Sequence, residues 1–197
     1  MSIDFKSVDG SELEPYVESL GLLRVQVFRQ FPYLYDGDLD YEKKYLKTYI
    51  ASPRSLVVLA MDTDKIVGAS TCIPLEDESS EFQIPFLQAE MDLSKVCYFG
   101  ESILLEGYRG QGVGHRFFDL REGHAKRVIP ELEYTAFCAV DRPKDHPLRP
   151  KPYRSHDAFW DKRGYRKQPN MKAEYQWKDI DQESETKKQM TFWLRRF

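Results

Sequence analysis

The sequence predicts an α/β domain of the α+β kind, a mixed sheet of about six to seven strands flanked by about four helices. Three observations lead there. Short β-rich runs cluster before residue 75 and recur after residue 95. Apolar residues at helical spacing separate them, over 13–31 and 113–128. The resulting order, β-α-α-β-β-β-α-β-α-β-β, begins with antiparallel connections and ends in a β-α-β-α-β section, as a mixed-sheet domain does.

Asp4–Val8 reads as a first short strand. From Leu13, the positions Tyr16, Val17, Leu20, Leu23, Val27, Phe28 and Phe31 mark a helical face that Pro32 ends. Ser11 and Glu14 fit a capping box, while Pro15 suits the first turn of a helix that starts nearer Glu14. A more polar helix follows over about Tyr41–Ile50. Ser55–Met61 and Ile66–Ile73 flank the turn composition Asp-Thr-Asp-Lys, an antiparallel hairpin. Residues 76–95 are acidic, then mixed, with Pro85 inside, and read as a loop holding one helical turn. Val96–Leu105 is a long strand, Gly107–Gly114 a glycine-rich turn, and about Val113–Val128 an amphipathic helix. Tyr134–Val140 is a buried strand, and Asp141–Tyr153, with four prolines, a long loop. A short helix over His156–Arg163 closes at Gly164. Glu174–Trp177 and Met190–Leu194 are final strands.

The 197 residues suit a single domain spanning 1–197. With 41% hydrophobic and 31% charged residues the chain is ordinary for a globular protein. A net charge of −3 and a pI near 5.9 argue against a binder driven by phosphate neutralisation, so no nucleic-acid partner is expected. No apolar run nears the roughly 20 residues that span a bilayer, and MSIDFKSVDG has no signal-peptide core, so no membrane partner and a cytoplasmic location are expected. Cys72, Cys97 and Cys138 lack metal spacing and read as reduced, buried thiols. His146, His156, Asp145 and Asp157 match no ligand pattern, and no metal is expected.

Chemistry concentrates in Tyr98-Phe-Gly-Glu-Ser-Ile-Leu-Leu-Glu-Gly-Tyr-Arg-Gly-Gln-Gly-Val-Gly-His115. Gly110, Gly112 and Gly114 lie between strand and helix, where unbonded first-turn amides and the helix dipole make a pyrophosphate site. Arg109 adds positive charge at its entrance. A dinucleotide fingerprint counted from Gly110 fails at His115, and a P-loop fails because Val113 follows Gly112. His115 and Asp119 form H-x-x-x-D but share one helix face, as an exposed ion pair does.

The pattern [Q/R]-x-x-G-x-[G/A], present as Arg109, Gly112 and Gly114, is similar to the acyl-CoA signature of the GNAT (Gcn5-related N-acetyltransferase) superfamily. The element order agrees from about residue 4 to 197, and Trp160-Asp-Lys-Arg-Gly-Tyr165 is similar to a late-helix motif of that family. The resemblance implies a mostly antiparallel sheet with a splayed strand pair and acetyl-CoA as co-substrate. It places the pyrophosphate on Arg109, Gly110, Gln111, Gly112, Val113 and Gly114. The pantetheine would lie along Ile103, Leu104 and Leu105 in a gap facing Tyr134–Val140, with Phe159 and Trp160 beside it. An amide near Ile103 or Leu104 would meet the acetyl carbonyl.

The implied activity is transfer of acetyl to a primary amine of a small molecule or peptide by direct attack. An ammonium must first lose a proton, and Glu101 is the expected general base. Strict alternation places it with Phe99, Ile103 and Leu105, among apolar neighbours that raise a carboxylate pKa. Pairing with a structural Arg or Lys is the other reading, and Glu106 is the reserve. Trp160 stands where family members carry an acidic tyrosine, which leaves Tyr153, His156 or solvent to protonate the thiolate. For the acceptor, the loop Phe31–Tyr41 offers Tyr33, Tyr35 and Asp36 to a cation. The basic loop with Arg142, Lys144, Arg149 and Lys151 instead suits a carboxylate-bearing zwitterion. Rival readings are a non-catalytic acyl-CoA-binding module and an acyl-homoserine-lactone synthase, to which Leu23-Arg24-x-x-Val27-Phe28 has a passing similarity. The C-terminal Phe-Trp-Leu-Arg-Arg-Phe strand either pairs within the sheet or makes a homodimer.

Overall fold

A computed structural model describes residues 3–197. Its seven strands form one sheet in the order β1-β2-β3-β4-β5-β7-β6. They are β1 (Asp4–Asp9), β2 (Leu56–Asp62), β3 (Lys65–Pro74), β4 (Val96–Leu104), β5 (Tyr134–Val140), β6 (Arg166–Trp177) and β7 (Thr186–Arg196). Every neighbouring pair is antiparallel except β4 and β5. This is the mixed, mostly antiparallel sheet expected. Helices α1 (Val17–Phe28), α2 (Leu39–Ala51) and α3 (Ser80–Gln88) cover one face, burying Leu20, Leu23, Leu46, Tyr49 and Phe86. Helices α4 (Val113–Val128) and α5 (Asp157–Lys162) cover the other through Val113, Phe117 and Phe118, with Phe159 and Trp160 packed alongside. No helix is long and apolar enough to cross a membrane among the described residues.

The departures from expectation are local. Two 3₁₀ turns precede α1, over Gly10–Glu12 and Glu14–Tyr16, and Asp9 rather than Ser11 caps the first by accepting from the Ser11 and Glu12 amides. Asp38 caps α2 in the same way and starts it two residues early. Nine of the twenty residues of 76–95, read as a loop with one helical turn, form α3. Pro85 is the sixth residue of that nine-residue helix, so it deletes one hydrogen bond near the end and does not break it. Strand β6 begins at Arg166, eight residues before the expected start. Its alternation is hidden by a bulge, for Gln168 faces Phe192 while Lys172 faces the adjacent Thr191. Both edges of the C-terminal strand pair within the chain, to β5 and β6, so it is interior and offers no edge to a second copy.

Strand β4 positions the centre of the molecule through two irregularities. Val96 and Tyr98 pack on the α1–α3 face and Cys97 and Phe99 on the α4 face, as alternation requires. Beyond Phe99 the parity changes, and Ile103 lies on the α1–α3 face. The cause is a bulge: Thr71 faces Glu101 and Ile73 faces Tyr98, so three steps along β4 match two along β3. A Cβ at Gly100 would collide with the Tyr49 hydroxyl and lie 2.7 Å from Thr71 Oγ1, so only glycine fits the bulge. The second irregularity is a splay. Pairing between β4 and β5 stops at Tyr98 with Ala136, leaving the rest of the two strands apart.

Candidate active site

The glycine-rich turn enters through a 3₁₀ turn, Glu106–Tyr108, and leads into α4. Gly110 and Gly112 have φ of +77° and +81°, left-handed values that strain any residue with a Cβ. Nothing lies within 4 Å of where their Cβ atoms would be, so the backbone there opens on free space. Gly112 is the N-cap of α4, and no side chain caps that helix among the described residues. Bare amides, the positive end of a sixteen-residue helix and room for a ligand fit an anionic diphosphate. Val113 is buried and anchors the turn, while the exposed Gln111 bonds back to the Gly107 carbonyl at 3.3 Å. Gly114 faces Phe159, whose ring would be 3.5 Å from a Cβ there.

Arg109 is exposed but tied to the fold. Its Nε donates to the Leu104 carbonyl at 3.2 Å and its Nη2 to Gln30 Oε1 at 2.8 Å. The guanidinium thus joins the turn to the end of β4 and the end of α1. Ile103 is buried, and Leu105 is held by its amide to the Val67 carbonyl at 2.9 Å.

Glu101 is 7% exposed, on the α1–α3 side of the bulge. Two expectations for it change. The bulge separates it from Phe99, because the alternation that was to join them is interrupted between them. Its carboxylate is also ion-paired with the buried Arg24 of α1, which pairs in turn with the buried Glu42 of α2. The Arg24 guanidinium lies 4.0 Å from the Tyr45 ring centre and 5.1 Å from that of Phe28. The surroundings of Glu101 are therefore ionic, and the structural-pair alternative describes them. On the opposite face, Arg121 of α4 is buried against the same bulge. It donates to the Glu101 carbonyl at 3.1 Å and stacks on Phe99 and Phe118 at 4.2 and 4.7 Å. Burial lowers its pKa. Nothing in the sequence set Arg121 apart from Arg116 and Arg127 on the same helix as the residue that supports the bulge.

The acid candidates lie apart from the bulge cluster. Trp160 packs between Phe137 and Trp193, at 4.9 and 5.1 Å. Tyr153 meets Phe31 edge-on at 4.7 Å beneath the Arg149 guanidinium, and burial raises its pKa. His156 precedes α5 with its ring 5.7 Å from Trp160. Desolvation, with Arg109 nearby, lowers its pKa. Asp119 pairs with Arg163 at 2.7 Å and His115 packs on Phe159, so the expected His115–Asp119 pair does not form.

The acceptor candidates are largely engaged by the fold. Asp36 bridges Arg29 at 2.8 Å and Lys178 at 2.7 Å, and these partners lower its pKa. Tyr33 packs between Phe28 and Trp177, and burial raises its phenol. Tyr35 bridges to Asp179, and its phenol is raised by burial and then by Glu42. In the basic loop, Arg142 gives four hydrogen bonds to the fold, two to the buried Asp179 and one each to the Pro32 and Tyr33 carbonyls. All three cysteines are free and buried, and burial pushes Cys138 up to about 12.

No protein-family model matches the chain, and no curated protein sequence matches it. Solved structures do. A structure of Arabidopsis thaliana NAA60 in complex with acetyl-CoA superposes with a TM-score of 0.62 at 13% identity, covering 100% of this chain and 99% of that one. A ribosomal-protein-alanine N-acetyltransferase from Brucella melitensis gives 0.61 at 9% identity, over 98% and 99%. A GNAT-family acetyltransferase from Staphylococcus aureus gives 0.58 at 14%, over 99% of each. With the sheet order, the splay and the glycine turn already in hand, the chain has the fold of the GNAT acetyltransferases.

Proposed function

We propose that this protein is an acetyl-CoA-dependent N-acetyltransferase acting on a primary amine of a small molecule or peptide. One observation carries the reading: the uncapped N-terminus of α4, with two left-handed glycines and open space, adjoins the place where β4 and β5 separate. The amides from Gln111 to Gly114 would hold the diphosphate, with Arg109 beside them. The end of β4 at Ile103 and Leu104 would bond the pantetheine arm, with an amide there set to stabilise the developing oxyanion. Bound, acetyl-CoA supplies an activated acyl thioester that the amine attacks directly.

Glu101, the first candidate for the base, has its carboxylate engaged by Arg24. Its role in this reading is to hold α1 against the bulge and fix the strand edge. No side chain of the late helix is set to protonate the thiolate, since Trp160 is a packing residue. Solvent then supplies that proton. The occurrence of a like-folded protein in complex with acetyl-CoA supports the choice of cofactor.

Calorimetry with acetyl-CoA, followed by thiol release in the presence of an amine panel, tests the proposal. Heat of association together with amine-dependent thiol release is the expected result. Binding without thiol release for any amine would favour the non-catalytic module, and no binding would overturn both.

A further inference from the structure

The α1–α3 face of the sheet holds a second carboxylate, and the account above leaves it without a role. Glu78 follows the 3₁₀ turn that ends β3, Leu75–Asp77, and is 6% exposed. Its Oε2 accepts the Ser79 amide at 2.7 Å, while its Oε1 is buried with no hydrogen-bond partner. A buried carboxylate oxygen without a donor is costly, and such an atom in a folded protein calls for an explanation.

The surroundings supply one. The Phe82 ring of α3 lies between those of Tyr98 and Tyr175, at 4.6 and 4.9 Å. The Tyr175 hydroxyl is also buried without a partner. The Tyr45 and Tyr49 hydroxyls are 3.2 Å apart, and that of Tyr98 is 3.2 Å from Cys138 Sγ. Tyr98 is the last residue of β4 that pairs with β5, so this cluster sits where the splay begins. Titratable groups of several elements feel the charge of Glu78. Burial first, and the Glu78 charge after it, raises Tyr45 and Tyr49 of α2, Cys138 of β5 and Tyr175 of β6, and Glu81 of α3 adds a like charge. The buried cation of α1, Arg24, is already bound by Glu42 and Glu101. The cluster therefore has acceptors and hydroxyls in excess and lacks a positive donor.

We propose that Glu78 takes the proton from the incoming primary ammonium group, which the Tyr98 and Tyr175 hydroxyls help to hold at the inner end of the splay. This rests on the acetyl-transfer reading. The ammonium gives one proton to the Glu78 carboxylate, and the neutral nitrogen forms a bond to the acetyl carbon. The C–S bond breaks with its electron pair on sulfur, and the second N–H proton passes through solvent to the thiolate. Glu78 then returns its proton to water. Burial pushes the Glu78 carboxyl up to about 7, where a base at neutral pH is best matched to its work. Aromatic walls and like-charged carboxylates select a monocationic amine on an apolar stem and disfavour an amino-acid zwitterion, whose own carboxylate would face Glu78 and Glu81.

Carboxyl ¹³C NMR of glutamate-labelled protein saturated with CoA tests this, with 2-phenylethylamine as probe and phenylalanine as zwitterionic control. One resonance, absent in Glu78→Gln, is expected to titrate near pH 7, and phenylethylamine should lower its midpoint by about one pH unit while phenylalanine leaves it in place. In thiol-release assays with phenylethylamine, Glu78→Gln should lose about 100-fold or more in kcat/KM together with the limb near pH 7, and Glu78→Asp should restore part of both. A midpoint in the ordinary carboxylate range, or one that the amine does not move, overturns the assignment. So does a variant that keeps the limb. Calorimetry on the same samples separates the levels: CoA binding with an amine-insensitive Glu78 defeats this inference alone, whereas absence of CoA binding defeats the acetyl-transfer reading with it.

Discussion

The two ends of the splay are built in opposite ways. At the α4 end, Gly110 and Gly112 leave backbone amides bare and exposed, and the site is a property of consecutive residues. At the inner end, α1, α2, α3, β4, β5 and β6 each contribute a side chain to a buried cluster of ions and phenols. An anion can be held by main chain alone, because helix termini carry unsatisfied donors whatever the side chains are. An amine that must be stripped of its proton needs side chains of tuned acidity, and burial by several elements is what tunes them.

Substitutions at each end should separate these two designs, with the largest effect at the turn. Gly112→Glu places a Cβ at φ +81° and a negative charge at the N-terminus of α4. Calorimetry should register at least a 100-fold loss of acetyl-CoA affinity, while the melting temperature moves by a few degrees at most. Unchanged affinity would break the comparison, since the turn would then not be the anion site.

Next in size is the ion cluster. Arg24→Met leaves Glu42 and Glu101 buried without a counter-charge and should cost about 3–5 kcal/mol in chemical denaturation. Glu101→Gln, which keeps shape and one acceptor, should cost less. If Glu101→Gln leaves stability unchanged but abolishes thiol release, Glu101 is the base and its ion pair with Arg24 is secondary.

Glu78 gives an effect of opposite sign. Folded, it holds its proton up to about pH 7, whereas an unfolded glutamate releases it near 4.5. The folded state binds more protons between those values, so stability falls as pH rises through that window. Glu78→Gln removes the penalty. The variant should exceed the parent by up to about 3 kcal/mol at pH 8, with the pH-dependent part of the difference gone below pH 4.5. Urea denaturation at pH 8 and pH 4 reads this directly. Glu78 thus weakens the fold when ionised, whereas the Arg24 ion pairs support it.

The smallest effect is expected at Arg109. Its bonds to Leu104 and Gln30 lie at the exposed surface, so Arg109→Met should weaken acetyl-CoA binding several-fold with little change in melting temperature. The loss should shrink at high salt, where exposed charges are screened.

The glycine turn, the hairpin and the long β4 were readable from residue order because each rests on local rules: left-handed turns, alternation and helical spacing. Helix α3 was hidden by a proline that costs little where it falls, and β6 by a bulge that erased its period. Glu101 illustrates the limit most sharply. Its strand was legible, yet one extra residue near Gly100 changed the face it presents, and a partner 77 positions earlier in the chain decided its charge environment.

By itself, then, the sequence determined the order of elements apart from α3, the glycine-rich turn before α4 and the placement of Glu101 on the strand that leads to it, since these follow from neighbours along the chain. Only the tertiary structure decided that Glu101 is ion-paired, that Asp36 and Arg142 are engaged by the fold, and that Glu78 is buried with one oxygen free. The reason is physical: a side chain's acidity and availability depend on desolvation and on charges brought close by packing, and residues distant in sequence supply both.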